Sequence, residues 1–198
     1  MGLIKTKTTM KQTVKRLAAT LREMVDNYHE LGKAYRNIPL AEQCLDIFRQ
    51  LPDAIEDEYK SSEEKADLIE NMLGVMDEYL TPRLCIRIRE YIHQIAPQRT
   101  GNEASLQRLN DYINPDLTNE EWQRRYHRRS LKFDPVERTP EYEACIYEVE
   151  KACDDSLSDF PRGMGFCHAY WPAKAAELLK HGIRWKSPHM MNPRVLFD

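Results

Sequence analysis

The stretch SSEEKADLIENMLGVMDEYLTPRLCIRIREYIHQI, residues 61–95, decides how the chain is read. Leu68, Ile69, Met72, Leu73, Met76, Tyr79 and Leu80 recur at helical spacings, which lines them along one side of an α-helix. Ser61 and Glu64 precede that run at capping-box spacing, and the acidic first turn suits the positive end of the helix dipole. Thr81-Pro82 marks a second start, an N-cap followed by proline at a position that needs no amide hydrogen. Leu84, Ile88, Tyr91, Ile92 and Ile95 then carry a second apolar face as far as Pro97. A helix ending at Leu80 and another starting at Pro82 must turn back sharply, which makes an antiparallel hairpin.

Toward the N-terminus, Met10, Val14, Leu17, Leu21, Met24, Val25, Tyr28 and Leu31 predict one long amphipathic helix from about Thr8 to Leu31. Gly32 interrupts it and Pro39 closes the region. A helix carrying Leu40, Cys44, Ile47, Phe48 and Leu51 follows, with Pro52 opening a short turn through Tyr59. Toward the C-terminus, residues 97–102 (PQRTGN) form a loop and a candidate break between two sub-lobes. Beyond it, Leu106, Leu109, Tyr112 and Ile113 mark one helix, and Thr118-Asn119-Glu120-Glu121 is a capping-box start for the next. Thr139-Pro140 opens another, with Tyr142, Ile146, Val149 and Cys153 on its face. No run alternates long enough for a strand, and seven glycines in 198 residues supply few of the positive-φ turns that sheets need. The predicted fold is all-α: a multi-helix bundle of antiparallel hairpins over residues 1–159, with a less regular aromatic segment, residues 160–198, packed on the same domain.

A net charge of −3 gives no general attraction to nucleic acid or to an anionic membrane. Five scattered cysteines, Cys44, Cys85, Cys145, Cys153 and Cys167, read as reduced thiols, four of them at buried helix positions. Residues 1–5 lead into polar, basic sequence, and no apolar run approaches the roughly 18 residues that a membrane helix requires. The expected location is the cytoplasm.

Candidate chemistry concentrates in the last segment, FPRGMGFCHAYWPAKAAELLKHGIRWKSPHMMNPRVLFD. There Arg162, Lys174, Lys180, Arg184, Lys186 and Arg194 outnumber Glu177 and Asp198, so a basic tail follows an acidic body. Pro172 reads as the first residue of a helix ending at His181 before a Gly182 cap, and Ser187-Pro188 as the start of a last turn through Met191. Arg162, His168, Tyr170, Trp171, Arg184, Trp185 and His189 are the candidate lining of a ligand pocket, arginine meeting an anionic group and histidine serving as acid or base. Gly163 and Gly165 match neither a P-loop nor a dinucleotide fingerprint, and they suit close packing of Phe166, Tyr170 and Trp171. Cys167, His168, His181 and His189 lack the spacing of a tetrahedral metal set, so neither metal nor cofactor is expected. The acidic runs at 56–58, 63–64 and 154–155 sit where helix ends and polar faces account for them.

A second basic feature is Arg124-Arg125-Tyr126-His127-Arg128-Arg129 behind Trp122. If helical throughout, it sets Arg124 over Arg128 and Arg125 over Arg129, a crowding that phosphate would relieve. The alternative is a solvated face answered by Glu120, Glu121, Asp134 and Glu137, with Trp122 and Tyr126 in the core. No catalytic set emerges. The leading expectation is a protein–protein interaction or scaffold module that uses its C-terminal segment on a partner or on a second copy. A small anionic-ligand binder or enzyme is the alternative, and nucleic-acid binding through Arg124, Arg125, Arg128 and Arg129 comes third.

Overall fold

The computed structural model describes residues 2–52, 62–127 and 131–197, with side chains from Met10 onward in the first helix. Among these residues the chain is all-α, with helices α1 (Gly2–His29), α2 (Asn37–Gln50), α3 (Ser62–Gly74), α4 (Pro82–Ile95), α5 (Asn102–Ile113), α6 (Asn119–Tyr126), α7 (Pro140–Ser156), α8 (Phe166–Lys180) and α9 (Pro188–Met191). Single 3₁₀ turns lie at Ala34–Arg36 and Pro135–Arg138. Ser61, the expected cap of α3, lies outside the described residues, as do the turn through Tyr59, the acidic run at 56–58 and Asp198.

The chain divides into two compact units, residues 1–77 with 84–105, and residues 78–83 with 106–198. In the first, Met24, Phe48, Ile69, Ile88 and Ile92 are wholly buried. Asn37 ties three segments together: its amide nitrogen donates to Met24 O at 2.8 Å and to Val75 O at 2.9 Å, and its oxygen accepts from Asn27 at 3.0 Å. Past the end of α4, Arg99 binds Glu63, Asp67 and Glu70 along α3, so α3 and α4 run antiparallel.

Helix α1 buries Leu17 and Met24 of its expected apolar stripe but leaves the far edge of that stripe exposed. The inward residues are Leu17, Thr20, Met24 and Asn27, whereas Val25, Tyr28 and Leu31 are exposed. The Asn27–Asn37 pair explains this orientation, because turning Leu21 and Val25 inward would carry Asn27 and the Met24 carbonyl away and strand the buried Asn37 amide. Helix α3 also ends at Gly74, short of the expected Leu80, and a turn joins it to α4.

In the second unit, Tyr112, Trp122 and Phe133 form a buried aromatic cluster, with Tyr112 and Trp122 centred 5.1 Å apart edge to face and Phe133 stacked at 5.7 Å from Tyr112. Thr118 and Glu121 form the reciprocal capping box that starts α6, and Thr139 caps α7 through Tyr142 N. Thr81 does not act as the expected cap: its hydroxyl is buried without a hydrogen-bond partner among the described residues. Glu143 of α7 accepts from the Arg83 amide at 3.1 Å instead, bringing a carboxylate to the start of α4.

Arg138 holds the Pro135–Arg138 turn in place. Its guanidinium donates to the carbonyls of Tyr112, Leu117 (2.6 Å), Asp111 (3.2 Å) and Asn114 (2.8 Å) and to Asn119 Oδ1 (2.9 Å). Lysine cannot reproduce this planar fork. Arg138→Lys is expected to lower the unfolding free energy by at least about 3 kcal/mol through stranded buried acceptors, read from urea denaturation; a loss within experimental error would show that water replaces the fork.

Candidate functional site

Within the second unit the C-terminal segment is held by polar pins. Trp185 Nε1 donates to Glu137 at 2.9 Å and the Lys186 amide to Asp134 at 2.6 Å. Asn192 pairs with the Lys132 backbone in both directions, accepting at 2.8 Å and donating at 2.7 Å. Ile183, Trp185 and Asn192 are buried by this docking, while Leu196 remains 94% exposed.

Helix α8 starts at Phe166, six residues before the expected Pro172. Gly165, at φ 81°, supplies the left-handed residue that the preceding turn needs, and Phe166 N donates to Gly163 O at 3.0 Å. Pro172 therefore lies inside the helix, where its ring supplies no amide for the carbonyl of His168. The earlier start places Tyr170 and Lys174 one helical turn apart.

Lys174 is the centre of a buried charged group between α7 and α8. Its ammonium donates to Glu150 at 2.7 Å and lies 3.3 Å from the Tyr170 hydroxyl, which itself donates to Glu150 at 2.6 Å. The rings of Trp185, Tyr142 and Tyr170 surround it at 5.4, 5.6 and 5.6 Å. Burial disfavours the ammonium, but Tyr170, Tyr142 and Glu150 outweigh it and hold Lys174 protonated well above the ordinary lysine range. Burial pushes the Tyr142 phenol up to about 12 and the Tyr170 phenol well above its usual range.

Two concavities flank the indoles of Trp171 and Trp185. One, of about 390 Å³, is walled by Phe133, Glu137, Tyr170, Trp171, Lys174 and Trp185. The other, of about 270 Å³, has Trp171, Pro172, Ala175 and Trp185 beside His168 and His189, with Met190 and Ser187 completing it. Phe197 packs edge-on against Trp171 at 5.1 Å and against His189 at 6.2 Å.

Of the residues singled out in the sequence, His168, Tyr170, Trp171, Trp185 and His189 line these two hollows. Arg162 lines neither: it binds Asp154 at 2.7 Å and lies 4.9 Å over Phe166. Arg184 is exposed and also lines neither. Lys174, Glu150 and Glu137 were not among the candidate site residues read from the sequence. The Tyr170/Lys174 spacing was the available signal, hidden by starting the helix at Pro172.

The basic run does not continue as one helix. Helix α6 ends at Tyr126, and His127 follows in the left-handed conformation at φ 48°; Arg128 and Arg129 lie outside the described residues. Arg125 binds Asp111 at 2.5 Å, and Tyr126 donates to the same carboxylate at 2.7 Å. Burial opposes ionisation of Asp111, but hydrogen bonds from Tyr126, Arg125 and Gln107 hold its carboxyl below the ordinary range. Arg124 is exposed. Cys44, Cys85, Cys145 and Cys153 are buried, and burial pushes the thiols of Cys44 and Cys153 up to about 11. Among the described residues no three His, Cys, Asp or Glu side chains gather as a metal would require, and no helix is long and apolar enough to cross a membrane.

The buried group makes the protein sensitive to alkali. The phenols of Tyr142 and Tyr170 resist ionisation in the fold, while the unfolded chain loses those protons from about pH 10. Lys174 keeps its proton in the fold and loses it on unfolding above about 10.5. Both effects favour the unfolded chain as pH rises, so stability should fall from pH 10 toward 12, with a shallower fall in Tyr142→Phe. Lys174→Met should cost about 3–5 kcal/mol by leaving Glu150 buried without its cation. The double variant Lys174→Met/Glu150→Leu should recover part of that loss in urea denaturation; equal losses would mean that the pair is not coupled.

No protein-family model matches the chain, and no curated protein or solved structure is significantly similar to it.

Proposed function

We propose that the C-terminal segment is a docking surface for a protein partner, which inserts one large apolar side chain between Trp171 and Trp185. The observation that carries this reading is the 270 Å³ concavity itself, lined by Trp171, Pro172, Ala175, Trp185 and Met190 and, among the described residues, by no Lys, Arg, Asp or Glu. Such a hollow gains free energy by taking apolar surface out of water, and aromatic and methionine side chains are enriched where partners bind. Met190, 63% exposed, extends the apolar rim.

Neither of the other two readings has equal support. An anionic ligand would need Arg162 or Arg184 in the hollow, and Arg162 is already engaged by Asp154. For nucleic acid, α6 stops before the second arginine pair and Arg125 is held by Asp111. A small polar ligand in the 390 Å³ cavity is the second reading, because Lys174, Glu137 and Tyr170 reach its wall.

The test is selection of peptides from a random displayed library, followed by calorimetry on the wild type and on Ala175→Arg, which fills the smaller hollow with a charged side chain. Selected peptides should share one large apolar residue, and Ala175→Arg should weaken them tenfold or more, a change of about 1.4 kcal/mol. Peptides that bind both proteins equally would rule out this hollow as the docking point.

A further inference from the structure

We infer, building on that docking reading, that the partner side chain taken up by the smaller hollow is a tryptophan whose indole N–H donates to the main-chain carbonyl of His168, and that Pro172 creates this preference. His168, Trp171, Pro172 and Ala175 are spaced three and four apart, so they share one stripe of α8, and that stripe is the helical wall of the hollow. Along an α-helix each carbonyl points toward the amide four residues on. The carbonyl of His168 therefore points down this same stripe toward residue 172, where proline has no amide hydrogen and its ring crowds the oxygen. An acceptor deprived of its helical donor thus lies on the wall of a hollow otherwise made of indole rings, Pro172, Ala175 and Met190. His168 and Pro172 are both exposed, so water reaches this wall until a partner covers it.

Covering the hollow removes that water, and the acceptor then chooses the occupant. A leucine, methionine or phenylalanine side chain would bury the carbonyl and return no hydrogen bond. An indole brings one donor on a large apolar body. It is a donor only, so it leaves no lone pair to be satisfied, as a tyrosine hydroxyl would. Lysine and arginine also donate, but they would carry a charge into a hollow that, among the described residues, no Asp or Glu lines. The remaining polar groups belong to α9 and its cap, where the Ser187 hydroxyl already receives the Met190 amide at 3.4 Å.

Isosteric replacement tests this arrangement. Peptides selected from a displayed library on the wild type should carry tryptophan as the anchor. The tightest is then made with tryptophan or with benzothienylalanine, an isostere that has sulfur in place of the indole N–H. By calorimetry the benzothienyl peptide should bind the wild type about tenfold more weakly. On Pro172→Ala, where residue 172 regains an amide for the His168 carbonyl, the two peptides should bind within about twofold of each other. Loss of the proline ring affects both peptides alike, so the ratio reads the hydrogen bond, and alanine is favoured over proline inside a helix, so the variant keeps its fold. Equal binding of the two peptides to the wild type would overturn the assignment. A tenfold ratio that persists in Pro172→Ala would overturn it too, by placing the acceptor on another group such as the His168 or His189 imidazole. Leucine, methionine or phenylalanine anchors that still lose affinity to Ala175→Arg would overturn it while leaving the docking reading intact. No selected peptide, or peptides indifferent to Ala175→Arg, would end both.

Discussion

The second unit depends on one guanidinium. Arg138 gathers backbone carbonyls from the end of α5 and the start of α6, groups that a helix end and a tight connection leave without partners. In doing so it fixes the Pro135–Arg138 turn, and that turn positions Asp134 and Glu137. Those two carboxylates receive the Lys186 amide and the Trp185 indole, so the placement of the last segment follows from satisfying orphaned carbonyls some seventy residues earlier. The indole of Trp185 then becomes a wall of both concavities. A polar network that is fully satisfied specifies position where apolar burial alone would tolerate sliding.

Lys174 extends the same logic to α8. A lysine in a helix interface is costly to desolvate, and it stays charged because Glu150 and three aromatic faces replace the water it has lost. The pair fixes both the rotation and the height of α8 against α7, which an alanine-rich face could not do by shape. With α8 fixed, Trp171 and Ala175 line the smaller hollow, and Trp171 also lines the larger one beside Lys174. The apolar hollow and the buried ion pair are thus consequences of one helix orientation.

Local signals were legible in the sequence and rotations were not. Thr118 and Glu121, Thr139 and Pro140, and Ser187 and Pro188 each start a helix where their chemistry predicts, because a cap is settled within four residues. The outcome at Thr81 differs because Glu143, sixty residues away, supplies the acceptor. Pro172 misled for a related reason: proline favours a first turn, but the left-handed Gly165 had already started the helix. The aromatic lining of the site was readable from residue type, whereas Glu137 and Glu150 were not, since a carboxylate in a long charged sequence reveals its partner only when the fold brings one.

Helix α1 shows what periodicity leaves undetermined. Its apolar residues span two neighbouring stripes, and hydrophobicity alone favours the one containing Leu21 and Val25. The chain buries the other, because in that rotation Asn27 donates to Asn37 Oδ1 and the Asn37 amide donates to Met24 O, its other hydrogen going to Val75 O. Stranding the donor and acceptor of the buried Asn37 amide costs about 1–3 kcal/mol for each group, comparable with the gain from fully burying a leucine or valine. The polar pair therefore decides the rotation, and the more apolar stripe is left on the outside.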